Sequence, residues 1–257
     1  MAPSPLLTIV MPALNEENNI RAAIDNTLNA FKDFSIDGEL IVIDDGSTDA
    51  TPVIIEDLIS KHLNIHVIRH ETPQGIGASF WDGVDHAKGN FLCMLPGDNE
   101  NNPWEIMRYI RLLEHVDIVI PFVFNKEKRS LFRNLLSFTY RFIINSTFLV
   151  NFNYTNGTVM YRKSILMDLQ YRSHGFFFQT DILVRIVKKG YLFSEVPYQL
   201  GVRNDGVSKA VTFPSLIQVI NGYVMLVKDI YYGKNRKIGV EFIKDSLTAR
   251  RQGNITE

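Results

Sequence analysis

Two adjacent carboxylates open the run Asp44-Asp45-Gly46-Ser47-Thr48-Asp49, directly behind the apolar stretch Leu40-Ile41-Val42-Ile43. Paired acids accept hydrogen bonds and repel anions, so they suit a ribose or a nucleobase edge better than a bare phosphate. A second acidic pair stands in Pro96-Gly97-Asp98-Asn99-Glu100, again behind an apolar run. Two hard oxygen donors on one turn can hold a divalent cation when a diphosphate supplies the remaining ligands. A third cluster is Pro12-Ala13-Leu14-Asn15-Glu16-Glu17. The fourth, Thr72-Pro73-Gln74-Gly75-Ile76-Gly77, places Gly-x-Gly before a helix, where backbone N–H groups can approach a phosphate.

Each cluster also has a plainer reading. Asp, Ser and Thr make turns and N-caps, acids favour the first turn of a helix, and the fourth cluster lacks the third glycine of a dinucleotide fingerprint. What tips the balance is position, because all four follow an expected strand. The carboxyl ends of parallel strands are where α/β folds bind ligands.

The elements that must position these clusters are legible from periodicity. Strands are expected at Leu6–Met11, Leu40–Ile43, Ile65–Arg69, Asn90–Leu95 and Val116–Ile120. Between them Ile20, Ile24, Leu28 and Phe31 recur at helical spacing, with Asn15 as the expected cap. Further helices are expected around Val53–Ile59, with Pro52 in its first turn, at Gly75–Lys88, and at Trp104–His115 behind Asn102-Pro103. This alternation over 6–121 predicts a mostly parallel, Rossmann-like α/β sheet with helices on both faces. The second half reads as a long helix near Lys128–Leu149, a loop Asn151–Thr158, a helix Phe178–Lys189 and a strand Tyr191–Val196. An amphipathic helix near Pro214–Tyr232 and a frayed polar tail Arg250–Glu257 complete it. The whole is read as one domain, 1–257, with a first half 6–121, a second half 122–232 and a tail 233–257.

Composition narrows the classes. The 257 residues carry a net charge of −1, with no basic field to attract nucleic acid. Cys93 is the single cysteine, inside Phe91-Leu92-Cys93-Met94-Leu95, which reads as a core thiol and excludes a disulfide fold. Leu135–Val150 and Phe213–Val227 are the most apolar long stretches, and Arg141, Asn145, Gln218 and Asn221 interrupt them. They fall short of the ~18 uninterrupted apolar residues of a span. A cytoplasmic protein is expected, either with two core-facing helices or peripheral at a membrane face through Arg129, Arg133 and Arg141.

Taken together the motifs resemble the family 2 glycosyltransferases, which have the GT-A fold. The matching segments are Ile9–Glu17, Val42–Asp49 and Gly75-Ile76-Gly77-Ala78. The second half is most similar to the dolichol- and polyprenyl-phosphate sugar synthases, through Tyr154–Thr158 with Met160-Tyr161-Arg162, Gly175–Asp181, Glu195-Val196-Pro197 and Arg203–Lys209. The resemblance implies a nucleotide-diphosphate sugar donor contacted by Pro12, Asn15, Glu16, Asp44, Asp45 and Gln74. It implies Mg²⁺ or Mn²⁺ on Asp98 and Glu100. It assigns Arg129, Arg133, Arg203, Ser208 and Lys209 to anionic phosphate, and Asp98, Asp181 and Arg203 to catalysis.

The chain departs from the family pattern at four places. Pro96 stands where the first acid of the metal motif is usual, Asn153 replaces a loop acid, Val159 an arginine, and Asp181 a glutamate. The reaction implied is an inverting transfer from a UDP- or GDP-sugar to a polyprenyl phosphate. Its alternatives are transfer to a saccharide or lipid-linked glycan hydroxyl in polysaccharide synthesis, with Asp181 as base, and a nucleotide-sugar binder impaired in catalysis. The helix 214–232, if exposed, would meet a membrane surface or a second copy of the chain in a homodimer.

Overall fold

The computed structural model describes residues 6–125, 131–199, 213–233 and 241–253. Its chain order is β1 Leu7–Ala13, α1 Ile20–Asp33, β2 Gly38–Asp44, α2 Thr51–Ile59, β3 Ile65–Arg69, α3 Ile76–His86, β4 Phe91–Met94, α4 Pro103–Met107 and β5 Ile118–Val123. It continues with α5 Leu131–Phe148, β6 Met160–Arg162, α6 Lys163–Met167, α7 Phe178–Lys189, β7 Phe193–Tyr198, α8 Phe213–Val227 and α9 Leu247–Gly253. The strands form one sheet in the order β3-β2-β1-β4-β6-β5-β7. Every neighbouring pair is parallel except those made by β6, which runs antiparallel to β4 and β5.

Strand side chains alternate between two cores. Leu7, Ile9 and Met11 of β1, with Leu40 and Val42 of β2 and Cys93 of β4, pack on one face against α1, α2 and α4. Val10, Ile41, Ile43, Leu92 and Met94 point to the other face, against α3, α5 and α7. Period-2 alternation with both faces apolar is what a sheet between two helical layers demands. Helix α3 lies so close to β1 that a Cβ on Gly83 would come within 2.4 Å of a Val10 methyl, so this position requires glycine. Burial drives the Cys93 thiol pKa far up, which keeps it protonated and unreactive.

Several elements differ from expectation for identifiable reasons. Strand β5 begins at Ile118 and runs through Pro121, because β6 pairs only with Ile118 and Val119 and leaves the proline no ladder bond to lose. Strand β7 likewise extends over Pro197, which an edge strand tolerates. The expected helix Trp104–His115 is two pieces, α4 and a 3-10 turn Ile110–Glu114. They part at Arg108-Tyr109, whose side chains both reach the Pro197 carbonyl. Helix α5 stops where Leu149 takes φ +52°. Strand β6 follows the expected loop Asn151–Thr158 and has no counterpart among the expected elements, because three residues are too few to show a period. The tail is not simply frayed, since residues 247–253 form α9, held by buried Asp117 beside the start of β5.

Candidate active site

The strand order sets the ends of β2, β1 and β4 side by side, and backbone bonds stitch their loops together. The Asp45 N–H donates to the Ala13 carbonyl at 2.9 Å, and the Gly97 N–H donates to the Pro12 carbonyl at 2.9 Å. Pro12 therefore contributes a buried ring and a carbonyl to the frame. Asn15 is not the cap of α1, which begins after Asn19. Instead it takes φ +56° in the turn, its N–H donates to Ser47 Oγ at 3.0 Å, and its Oδ1 accepts from the Thr48 N–H at 2.8 Å. The Glu16 N–H donates to Thr51 Oγ1 at 2.8 Å, and Glu17 N–H donates to Asp49 Oδ2 at 3.1 Å. Burial raises the Asp49 carboxyl pKa, but hydrogen bonds from Thr51 and Glu17 outweigh it and hold the group below the usual carboxylate range. Both acidic loops are thus rigidly cross-braced.

The paired acids have separate jobs. Asp44 is buried, with Oδ1 accepting from the Ser47 N–H at 3.0 Å and Oδ2 3.5 Å from Arg69 Nε. Asp45, also buried, accepts the Gln74 N–H at 2.7 Å and the Gly75 N–H at 2.9 Å, and its Oδ1 lies 2.7 Å from His70 Nδ1. Its carboxylate shapes the 70–75 loop. Gly46, at φ +78°, lets the turn pass under that loop, since a Cβ there would sit 3.0 Å from Pro73. Gln74 is exposed, and its amide turns back onto Thr72. His70, Asp82 and Arg69 were not singled out from sequence. The signal was the pairing of β3 with β2, which sets Arg69 opposite Asp44 and so brings residue 70 beside residue 45.

Asp98 and Glu100 are half-buried on the turn after β4, where the Glu100 N–H donates to Asp98 Oδ1 at 3.1 Å. Among the described residues no group of three or more His, Cys, Asp or Glu side chains could form a closed metal cage. The pair does fit a hard cation that keeps waters and takes phosphate oxygens from a substrate.

In the second half of the chain, Asp181 is 1% exposed and accepts from Arg185 Nε at 2.8 Å, and Arg185 also holds Asp229 at 2.7 Å. Burial raises the Asp181 pKa, and Arg185 opposes the rise. Its neighbours on α7 brace the Asn151–Thr158 loop: Gln179 reaches the Gly157 carbonyl, and Thr180 meets Tyr140 at 2.8 Å and Asn156 at 3.2 Å. A cavity of about 160 Å³ beside this loop is lined by Val123, Ser137, Phe138, Arg141, Asn153 and Tyr154, among others. Arg129, Arg203, Ser208 and Lys209 lie outside the described residues, and Arg133 falls on α5 with only its backbone described.

The family model for glycosyl transferase family 2 matches residues 8–170, more than half of the chain and all of the strand-end loops above. The chain belongs to glycosyl transferase family 2. Among its relatives is the dodecaprenyl-phosphate galacturonate synthase of Rhizobium johnstonii, 26% identical over 168 residues, which are 64% of this chain and 50% of that protein. A dolichyl-phosphate beta-glucosyltransferase of Trichomonas vaginalis is 32% identical over 100 residues, 37% of this chain and 31% of that one. The aligned parts thus span half or less of these curated relatives. Glucosyl-3-phosphoglycerate synthase of Mycobacterium tuberculosis, solved with Mn²⁺, UDP and phosphoglyceric acid, superposes with a TM-score of 0.68 at 19% identity, covering 87% of this chain and 78% of that one. The sheet order and flanking helices are those of the GT-A fold.

Two departures of this family member now have physical settings. Asn153 spans both oxygens of Glu195, its N–H at 2.6 Å and its Nδ2 at 2.7 Å, so an aspartate at 153 would face Glu195 with like charge. Val159 is fully buried in the core beside Ile120 and Tyr161, where an arginine would need a partner for its charge.

Proposed function

We propose that the chain is an inverting glycosyltransferase that moves a sugar from a UDP- or GDP-sugar to a polyprenyl phosphate, with residues 6–121 taking the donor and 122–232 the acceptor. The reading is carried by the convergence of Glu16, Asp44, Asp98 and Glu100 on one sheet edge. Names of sequence relatives that act on dodecaprenyl and dolichyl phosphates support the acceptor. Asp44 and Glu16 would face the nucleoside. Asp98 and Glu100 would hold Mg²⁺ or Mn²⁺, which when bound neutralises charge on the leaving diphosphate. Arg129, Arg133, Arg203, Ser208 and Lys209 would bind phosphate. An acceptor phosphate is already anionic at neutral pH and needs orientation more than a base. The test is a panel of UDP- and GDP-sugars, with and without Mn²⁺, offered a short polyprenyl phosphate. Metal-dependent appearance of a lipid-phospho-sugar is expected, and donor hydrolysis without that product would count against the acceptor.

Asp181 favours a second reading, because a carboxylate whose pKa burial has raised suits proton abstraction from a hydroxyl. The two readings separate in Asp181→Asn. A phosphate acceptor should still be glycosylated within about threefold of wild type, whereas a base-dependent reaction loses on the order of a hundredfold or more. In the base-dependent case wild-type activity rises with pH as Asp181 ionises, and the variant lacks that limb.

Peripheral association with a membrane fits the surface. Helix α5 exposes Leu135, Phe138 and Phe142, Leu149 just beyond its end is exposed too, and α8 exposes Leu216, Ile217, Ile220 and Val224. The helices meet through a Thr147–Tyr223 hydrogen bond of 2.8 Å. Among the described residues no helix is long and apolar enough to cross a membrane. Co-sedimentation with anionic vesicles is expected, and Phe138→Asp with Phe142→Asp should lower the bound fraction several-fold, by loss of apolar contact. Equal sedimentation of wild type and double variant would remove α5 from the contact.

A further inference from the structure

His70 follows β3 directly, and its backbone N–H donates to the Asp44 carbonyl at 2.9 Å. Its ring, 11% exposed, lies between two carboxylates: Nδ1 is 2.7 Å from Asp45 Oδ1, and Nε2 is 3.0 Å from Asp82 Oδ2. Asp82 stands on α3 and is 43% exposed. A neutral imidazole carries one N–H and can donate to one of these acids, whereas the imidazolium donates to both. Other charged groups nearby are engaged elsewhere. Arg69 turns to Asp44 and Glu56, His86 contacts the Asp82 carbonyl through Nδ1, and Glu71 is exposed.

We propose that His70 is a positioning residue for the donor nucleoside, a strut that fixes the 70–75 loop between the end of β2 and α3. The inference rests on the donor reading of this sheet edge. With the ring in place, Asp45 holds the Gln74 and Gly75 N–H groups, and the loop lies over Gly46 beside Asp44. Without the ring, Asp45 keeps those two amides, but the loop loses its side-chain tie to α3. His70 acts through Asp45 and the loop backbone, so it should govern donor affinity and leave turnover at saturating donor alone.

The test is calorimetric titration of UDP and of GDP, each with Mn²⁺, into wild type, His70→Gln and Asp82→Ala, followed by donor KM and kcat. The glutamine keeps one N–H donor, and alanine suits an exposed helical site. Nucleotide affinity is expected to fall about tenfold in both variants, as for loss of one charge-assisted hydrogen bond, with kcat within about twofold of wild type. Variants that melt at lower temperature yet bind nucleotide like wild type would overturn the positioning role and leave the donor reading standing. A wild-type chain that binds neither nucleotide would overturn the donor reading and this inference with it.

Discussion

Replacing Asp98 by alanine is expected to lower sugar transfer at least a hundredfold, the scale on which removing one preorganised charge-stabilising group acts. The expectation comes from the economy of the turn after β4. Pro96 leaves only Asp98 and Glu100 as acids on it, so no neighbouring carboxylate can stand in. The two are also linked, because the Glu100 N–H donates to Asp98 Oδ1 at 3.1 Å. Losing the Asp98 carboxylate would therefore remove one proposed metal ligand and free the backbone that carries the other. Glu100→Gln leaves the turn intact and should cost less, about tenfold, equivalent to about 1.4 kcal/mol. The check is single-turnover transfer across a Mn²⁺ series. Both variants should need more metal, Asp98→Ala should stay slow at saturation, and UDP binding without metal should persist through the separately braced Asp44 loop. Near-wild-type turnover by Asp98→Ala would overturn the assignment of the metal to this turn.

Much of the first half was legible because its signals are local. Apolar runs ending in polar clusters marked β1 to β4, and parallel pairing forces consecutive strand ends to one edge, so Asp44 and Asp98 could be grouped before any coordinates. The different duties of Asp44 and Asp45 were not legible. Neighbouring strand residues point to opposite sides, and which acid stays available depends on partners at positions 69, 70, 74 and 75, fixed only when β3 docks on β2. Asn15 misled for a similar reason. A cap and a turn lock use the same side-chain oxygen, and the choice was made by Thr48, which is distant in sequence. In the second half, β6 was invisible at three residues, and the Asn153–Glu195 pair spans 42 positions.

Asp117→Ala should be the most destabilising single change among those considered, at about 3–5 kcal/mol, as expected when one partner of a buried charged network is removed. The carboxylate is fully buried at the opposite edge of the sheet from the strand-end loops, just before β5. Its Oδ1 accepts from the Leu247 N–H at 2.7 Å and from Arg162 Nε at 3.2 Å, and its Oδ2 accepts from the Thr248 N–H at 3.0 Å and from Thr248 Oγ1 at 2.5 Å. Two of these donors are backbone N–H groups at the start of α9 that the helix cannot satisfy itself. Thr248 Oγ1 in turn accepts from the Leu192 N–H at 2.9 Å, which leads into β7. Alanine would thus leave Arg162 without its carboxylate and remove the tie of residues 247–248 to the start of β5, while the Leu192 N–H bond to Thr248 Oγ1 would remain. Asparagine should recover only part of the loss, because its NH₂ would face groups that also donate. The predicted melting temperature falls by about 10 °C for a chain of this size, with early proteolytic release of α9. Nucleotide affinity measured well below the transition should match wild type, since the donor loops leave the other edge of the sheet. An unchanged melting temperature would mean that α9 adds nothing to the fold, and lost affinity in a folded variant would mean that the two edges are coupled.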